Sequence, residues 1–167
     1  MEFELKTISP EAVNRALAKA ERYRLLNEPW EAESICLDAL EIEPDNQEAL
    51  TTLLLALSDQ FDTDTSCVAE AWTTVARLRD DYERAYYTGI VYERLAKAQL
   101  RHGAPGCGPQ TYEWLRFAMN CYEKAEAIRP ANNDDALLRW NACARLIVRD
   151  SHLVPITEER GEPLLLE

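Results

Sequence analysis

Apolar residues recur at steps of three and four along most of residues 10–149, the spacing of amphipathic helices rather than strands. The clearest pair of runs flanks one corner. Ala32, Ile35, Cys36, Ala39, Leu40 and Ile42 form a stripe before it, and Leu50, Leu53, Leu54 and Leu57 form a stripe after it. Pro44 stops the first helix, because proline pushes its predecessor out of the helical region and brings no backbone donor. Asp45 is expected to cap the second helix, with Glu48 completing a capping box. A hairpin of two such helices cannot bury both stripes alone, so other helices must cover it on both sides.

Seven helices follow from this pattern. Ser9-Pro10-Glu11 opens the first, which runs to about Leu26 and ends at Asn27. The second runs from Pro29 to about Glu43 and the third from about Asn46 to Gln60. A polar break at Phe61–Ser66 precedes the fourth, which reaches about Arg79. The fifth starts near Tyr82 and runs to about Arg101. His102–Pro109 is the one stretch dense in Gly and Pro, hence a loop. The sixth helix runs from Pro109 to about Ile128, and the seventh from about Asn133 to Arg149. Residues 1–8 read as a lead-in and 151–167 as an irregular tail, where Pro155, Gly161 and Pro163 forbid a long helix.

The 167 residues are 47% hydrophobic with only five glycines, a composition that supports a packed core and excludes a loop-rich chain. The formal charge of −12 is unevenly spread. No Lys or Arg occurs between Arg24 and Arg77, where twelve acidic residues stand; residues 77–149 carry twelve basic and nine acidic ones. The acidic block is either a solvated face or a surface for a basic partner, and nucleic acid is disfavoured. No window approaches the ~18 apolar residues of a membrane span, and Met-Glu-Phe-Glu-Leu-Lys lacks a secretory pattern, so a cytoplasmic location is expected. The five cysteines, an odd number with no two-residue spacing, match neither a zinc site nor a disulfide framework. Cys36, Cys121 and Cys143 fall on apolar stripes; Cys67 and Cys107 lie near helix starts and are expected to be open to solvent.

The odd-numbered helices start near residues 10, 46, 83 and 133, steps of about 36, 37 and 50. Two helices per period in the mid-thirties indicate a solenoid. The residues resemble the tetratricopeptide repeat family. Ala20 and Tyr23, then Ala32, Ala39 and Pro44, fit its two-helix pattern in the first unit; Gly89 and Tyr92, then Ala118, Tyr122, Ala125 and Pro130, fit it in the third. The second unit keeps Ala71, Val75 and Leu78 but has Asp80-Asp81 where the proline belongs, and the third carries about 15 extra residues. The resemblance implies an all-α, right-handed α-solenoid of about three hairpins (10–44, 46–80, 83–130) and a capping helix, 133–149. The outer side of that last helix is expected to be polar, through Arg139, Asn141, Arg145 and Arg149.

Only two histidines are present, His102 and His152, and no nucleophile, phosphate-loop or zinc motif appears. His102 with Cys107 is a conceivable thiol pair, but the loop glycines are better explained by turn geometry. A non-catalytic chain without cofactor or metal is therefore expected, and the resemblance implies a scaffold that binds a peptide or partner segment along the first helices. In that register the groove wall comprises Glu48, Thr52, Leu55 and Asp59, then Tyr86, Tyr87, Ile90 and Arg94, then Asn141 and Arg145, with Asn14, Leu17, Glu21 and Thr51 beside them. Some family members grip a terminal carboxylate with Lys, Asn and Arg; here Leu17 and Glu21 occupy matching places, which disfavours that mode. With Glu48 and Asp59 at one end and Arg94 and Arg145 at the other, the expected ligand has mixed charge, its basic part against the second unit. Self-association through Leu164-Leu165-Leu166 is the alternative, and a thiol-dependent enzyme a third.

Overall fold

The computed structural model describes residues 3–103 and 105–156. Among these the chain is all-α. Its helices are α1 (Val13–Leu25), α2 (Pro29–Ile42), α3 (Gln47–Asp59), α4 (Ser66–Ala76), α5 (Asp81–His102), α6 (Gly108–Ala127) and α7 (Asp135–Arg149). Residues 151–156 are not helical, and the part of the tail from 157 to 167, including Leu164-Leu165-Leu166, lies outside the described residues.

Local chemistry accounts for most helix ends. Pro29 and Pro109 stand in the first turns of α2 and α6, where a missing N–H costs no hydrogen bond. Asn27 (φ 61°) and Gly103 (φ 63°) take the left-handed conformation that closes α1 and α5. The cap of α3 differs from expectation. Asn46 Oδ1, not the Asp45 carboxylate, accepts the Ala49 N–H at 2.9 Å, because Asn46 is the residue directly before the first helical turn. Asp45 instead pairs with Arg79. Asp80 caps α5 in the same way, accepting the Glu83 N–H at 2.8 Å. The Ser9 side chain makes no capping bond; Pro10–Ala12 forms a short 3-10 turn that leads into α1. α4 stops at Ala76, three residues before the expected end at Arg79.

Each helix packs against its successor in the chain, and α1 also meets α3, as α3 meets α5. The first helices of the first three hairpins are therefore neighbours. α3 is the middle rod: Leu50, Leu53, Leu54 and Leu57 are all at most 2% exposed, covered from both sides. Buried apolar residues form two clusters, one built mainly by α1–α4 and one by α5–α7, and Tyr87 packs against both. In the second cluster Tyr122 is wholly buried and lies against Gly89, where a Cβ atom would stand 2.5 Å from its ring. Leu153, 4% exposed, folds back on this cluster, so the chain just after α7 turns back toward the start of α6. There the His152 carbonyl fills the space a side chain at Gly108 would need.

Gly89→Ala forces the Tyr122 ring to move inside a close-packed cluster. The expected cost is about 1–3 kcal/mol, read as a lower urea midpoint with unchanged slope. A midpoint equal to the wild type would show that α5 and α6 do not approach so closely.

Candidate functional site

Arg24, Asp59 and Arg94 stand at steps of 35 residues, near the ends of α1 and α3 and in the middle of α5. The Arg24 guanidinium donates through Nε and Nη2 to Asp59 Oδ2, each at 2.9 Å. Arg94 Nη1 donates to the other carboxylate oxygen. The three side chains are only 20–23% exposed. Burial lowers the Arg24 pKa, and burial together with the like charges of Arg24, Arg139 and Arg101 brings Arg94 down to about 10. Both arginines remain cationic at neutral pH, and Arg94 sits among other cations.

One residue before Arg94, Glu93 points into the second cluster and is 1% exposed. Its carboxylate accepts from the Tyr122 hydroxyl at 2.6 Å, from Lys97 Nζ at 2.5 Å and from Arg139 Nη1 at 3.4 Å. Burial, then the neighbouring Glu93 charge, pushes the Tyr122 phenol well above its ordinary range. Burial alone would lower Arg139, but Glu93 and Tyr86 outweigh it and hold its pKa up. About two turns further along α5, Arg101 Nε pairs with Asp62 Oδ2 at 2.5 Å.

These groups line two adjoining clefts. One, of about 330 Å³, includes Arg24, Asp59, Asp62, Arg94 and Arg101. The other, of about 140 Å³, includes Glu93, Arg94, Lys97, Arg101 and Arg139. Arg94 and Arg101 belong to both, so the clefts join into one trough served by α1, α3, α5 and α7.

Of the residues expected on a groove wall, Asp59 and Arg94 are brought into direct contact. Tyr86 and Tyr87 are half-buried with ring centroids 5.2 Å apart, and Tyr86 also stacks on Tyr82 at 5.9 Å. Leu55 is half-buried against the second cluster. Thr52 and Ile90 do not line a wall: at 5% and 1% exposure they lie inside, because α3 and α5 pack directly on each other. Glu48 is exposed in the first turn of α3, and Asn141 and Arg145 are exposed on α7. Asp59 is not an open acceptor for a basic ligand, since two arginines already neutralise it. Arg139 is not part of a solvated outer face either; it turns inward to Glu93.

Sequence reasoning did not single out Arg24, Glu93, Lys97 or Arg101. For Arg24 a signal was present: the same 35-residue step with alternating charge, Arg-Asp-Arg. Nothing comparable marks Glu93, whose neighbours Tyr92 and Arg94 look like any helix surface.

Burial pushes the thiols of Cys36 and Cys143 up to about 12 and that of Cys67 up to about 11. Cys67, expected to be open, is 5% exposed; Cys107 and Cys121 are half-buried. No group of three or more His, Cys, Asp or Glu side chains among the described residues is arranged to hold a metal ion. None of the described helices is long and apolar enough to cross a membrane. Comparison with protein-family models, with curated proteins and with solved structures returns no match.

Asp59→Ala leaves Arg24 and Arg94 facing each other without their shared partner. A loss of about 2 kcal/mol is expected in urea unfolding, whereas Glu41→Lys on an exposed position should change stability by under about 0.5 kcal/mol. Equal effects would show that the Asp59 carboxylate does not tie α1, α3 and α5 together.

The thiols give a second check. A pKa of about 12 leaves on the order of one thiolate in ten thousand at pH 8. Native alkylation at pH 8 followed by peptide mass spectrometry should therefore modify Cys107 and Cys121 well before Cys36, Cys67 and Cys143. Rapid labelling of Cys36 would contradict the packing of α2.

Proposed function

We propose that this chain is a non-catalytic interaction scaffold of the tetratricopeptide type, a right-handed solenoid that holds a segment of a partner polypeptide along its first helices. Support for the repeat comes from the order of contacts: each hairpin stacks on the next, and α1, α3 and α5 are neighbours. Side-chain bonds between hairpins recur at separations of 32–35 residues, as in Arg79 to Gln47, Arg79 to Asp45 and Arg24 to Asp59. The third unit is longer, and there the separation grows to 46 between Glu93 and Arg139.

The observation that carries the binding reading is the trough itself. It draws side chains from α1, α3, α5 and α7, which is the surface on which a repeat scaffold presents a ligand site. Half-buried Tyr86 and Tyr87 on α5 add rigid aromatic area, of the kind that dominates polypeptide interfaces. A second reading, self-association, draws on the exposed Leu25, Leu26, Trp30 and Leu37 of the first hairpin.

The test is selection of a random twelve-residue peptide library on the immobilised intact chain, followed by calorimetry on the enriched peptides. Enrichment is expected, and Arg101→Glu should change the affinity of the selected peptides at least fivefold in either direction with an unaltered circular dichroism spectrum. No enrichment, or peptides indifferent to that change, would overturn the reading. Doubling of mass in light scattering, lost on Trp30→Ser, would favour self-association instead.

A further inference from the structure

The chain carries a formal charge of −12, yet the trough runs against that balance. Five cations line it, Arg24, Arg94, Lys97, Arg101 and Arg139, against three carboxylates, Asp59, Asp62 and Glu93. Asp59 is shared by two arginines, and Glu93 by a lysine and an arginine. Two positive charges are thus in excess. The C-terminal ends of α1 and α3 contribute about half a negative charge each, which still leaves the lining positive. Glu21 stands one turn before Arg24, outside the lining.

Access is uneven across this set. Arg24 and Arg94 are about a fifth exposed and serve the internal bridge. Lys97 and Arg139 are 39% and 38% exposed, and Arg101 is 60% exposed, so these three can be reached from solvent. A guanidinium offers five N–H donors, and Arg101 meets Asp62 through Nε, on one side of its fork. Arg94, Lys97 and Arg101 follow one another at steps of three and four on α5, which sets these cations in a row along one face of that helix. A row suits carboxylates spaced along an extended chain better than a single small anion.

Resting on the scaffold reading above, we infer that the trough takes an acidic polypeptide segment, its Asp or Glu side chains paired with Lys97, Arg101 and Arg139. This departs from the mixed-charge ligand expected from the sequence, with its basic part against the second unit, because Asp59 is spent on Arg24 and Arg94. The net charge of the chain does not forbid it. At physiological salt the screening length is about 8 Å, so exposed acids farther than that from the lining are largely screened from it. Carboxylate pairing with a guanidinium fork is also directional, which makes the site selective for side-chain carboxylates over bulk negative charge.

The experiment uses the intact chain and three fluorescein-labelled twelve-residue peptides, alternating Ser with Glu, Gln or Lys, measured by anisotropy at 150 mM salt. The Glu peptide should bind at least tenfold more tightly than the Gln peptide, and the Lys peptide more weakly than either. Lys97→Gln with Arg101→Gln should weaken the Glu peptide at least tenfold, whereas Arg15→Gln with Lys19→Gln on α1, an equal change in net charge, should weaken it less than twofold. Lys97 also contacts buried Glu93, so Arg101→Gln alone is the companion variant, with at least a threefold loss expected and an unchanged circular dichroism spectrum required. Preference for the Lys peptide, indifference among the three, or equal losses in the cleft and α1 variants would overturn the inference. Displacement of the Glu peptide by inorganic phosphate at low millimolar concentration would also overturn it, by marking a small-anion site. If the library selection yields binders that are neutral or basic, the acidic partner falls and the scaffold stands; if it yields none, the scaffold reading itself fails.

Discussion

The carboxylate of Asp59, held between Arg24 and Arg94, is the interaction on which the arrangement of the first helices turns. The acidic block between Arg24 and Arg77 has no cation of its own. Its carboxylates can be neutralised only by residues from elsewhere in the chain, and the structure supplies them from both flanks. Asp59 draws on α1 and α5, Asp62 draws on Arg101, and Asp45 draws on Arg79. Electrostatics and packing therefore impose the same neighbours. α3 needs apolar cover on two sides, and its terminal aspartate needs cations from those same two sides.

A second buried carboxylate does comparable work in the other half. Glu93 joins α5 to Tyr122 of α6 and Arg139 of α7. Such a network is a weak source of net stability, because desolvating the charges offsets most of their attraction. What it supplies is register. A leucine at 93 would tolerate a slide of α7 along α5, but a carboxylate shared by three donors would not. Tyr87, which packs on both apolar clusters, couples the two halves so that neither network sits on an independent body.

Much of this fold is legible in the sequence. The stripes of α2 and α3, the prolines of α2 and α6 and the Asn27 stop each act locally, within one or two turns, so a linear reading recovers them. That reading misplaces the cap of α3 by one residue, because Asp45 and Asn46 have equal capping chemistry and only the backbone decides between them. The surface is less legible. Thr52 and Ile90 look like wall residues in the sequence because a helical wheel shows which residues share a face but not how near the next helix stands. Arg139 looks like part of the outer face of α7 for the same reason. The Arg-Asp-Arg series at steps of 35 residues is readable, yet it gains meaning only once α1, α3 and α5 are known to be neighbours.

That alternation constrains which hairpins can be lost or inserted. Arg24, Asp59 and Arg94 occupy successive places in one ladder, cation, anion, cation, so each rung is compatible only with a neighbour of opposite sign. Removing the middle hairpin would set two guanidiniums against each other, and duplicating it would set two carboxylates together. Loss or duplication of the middle hairpin is thereby penalised, and an insertion leaves the ladder intact only where the signs still alternate.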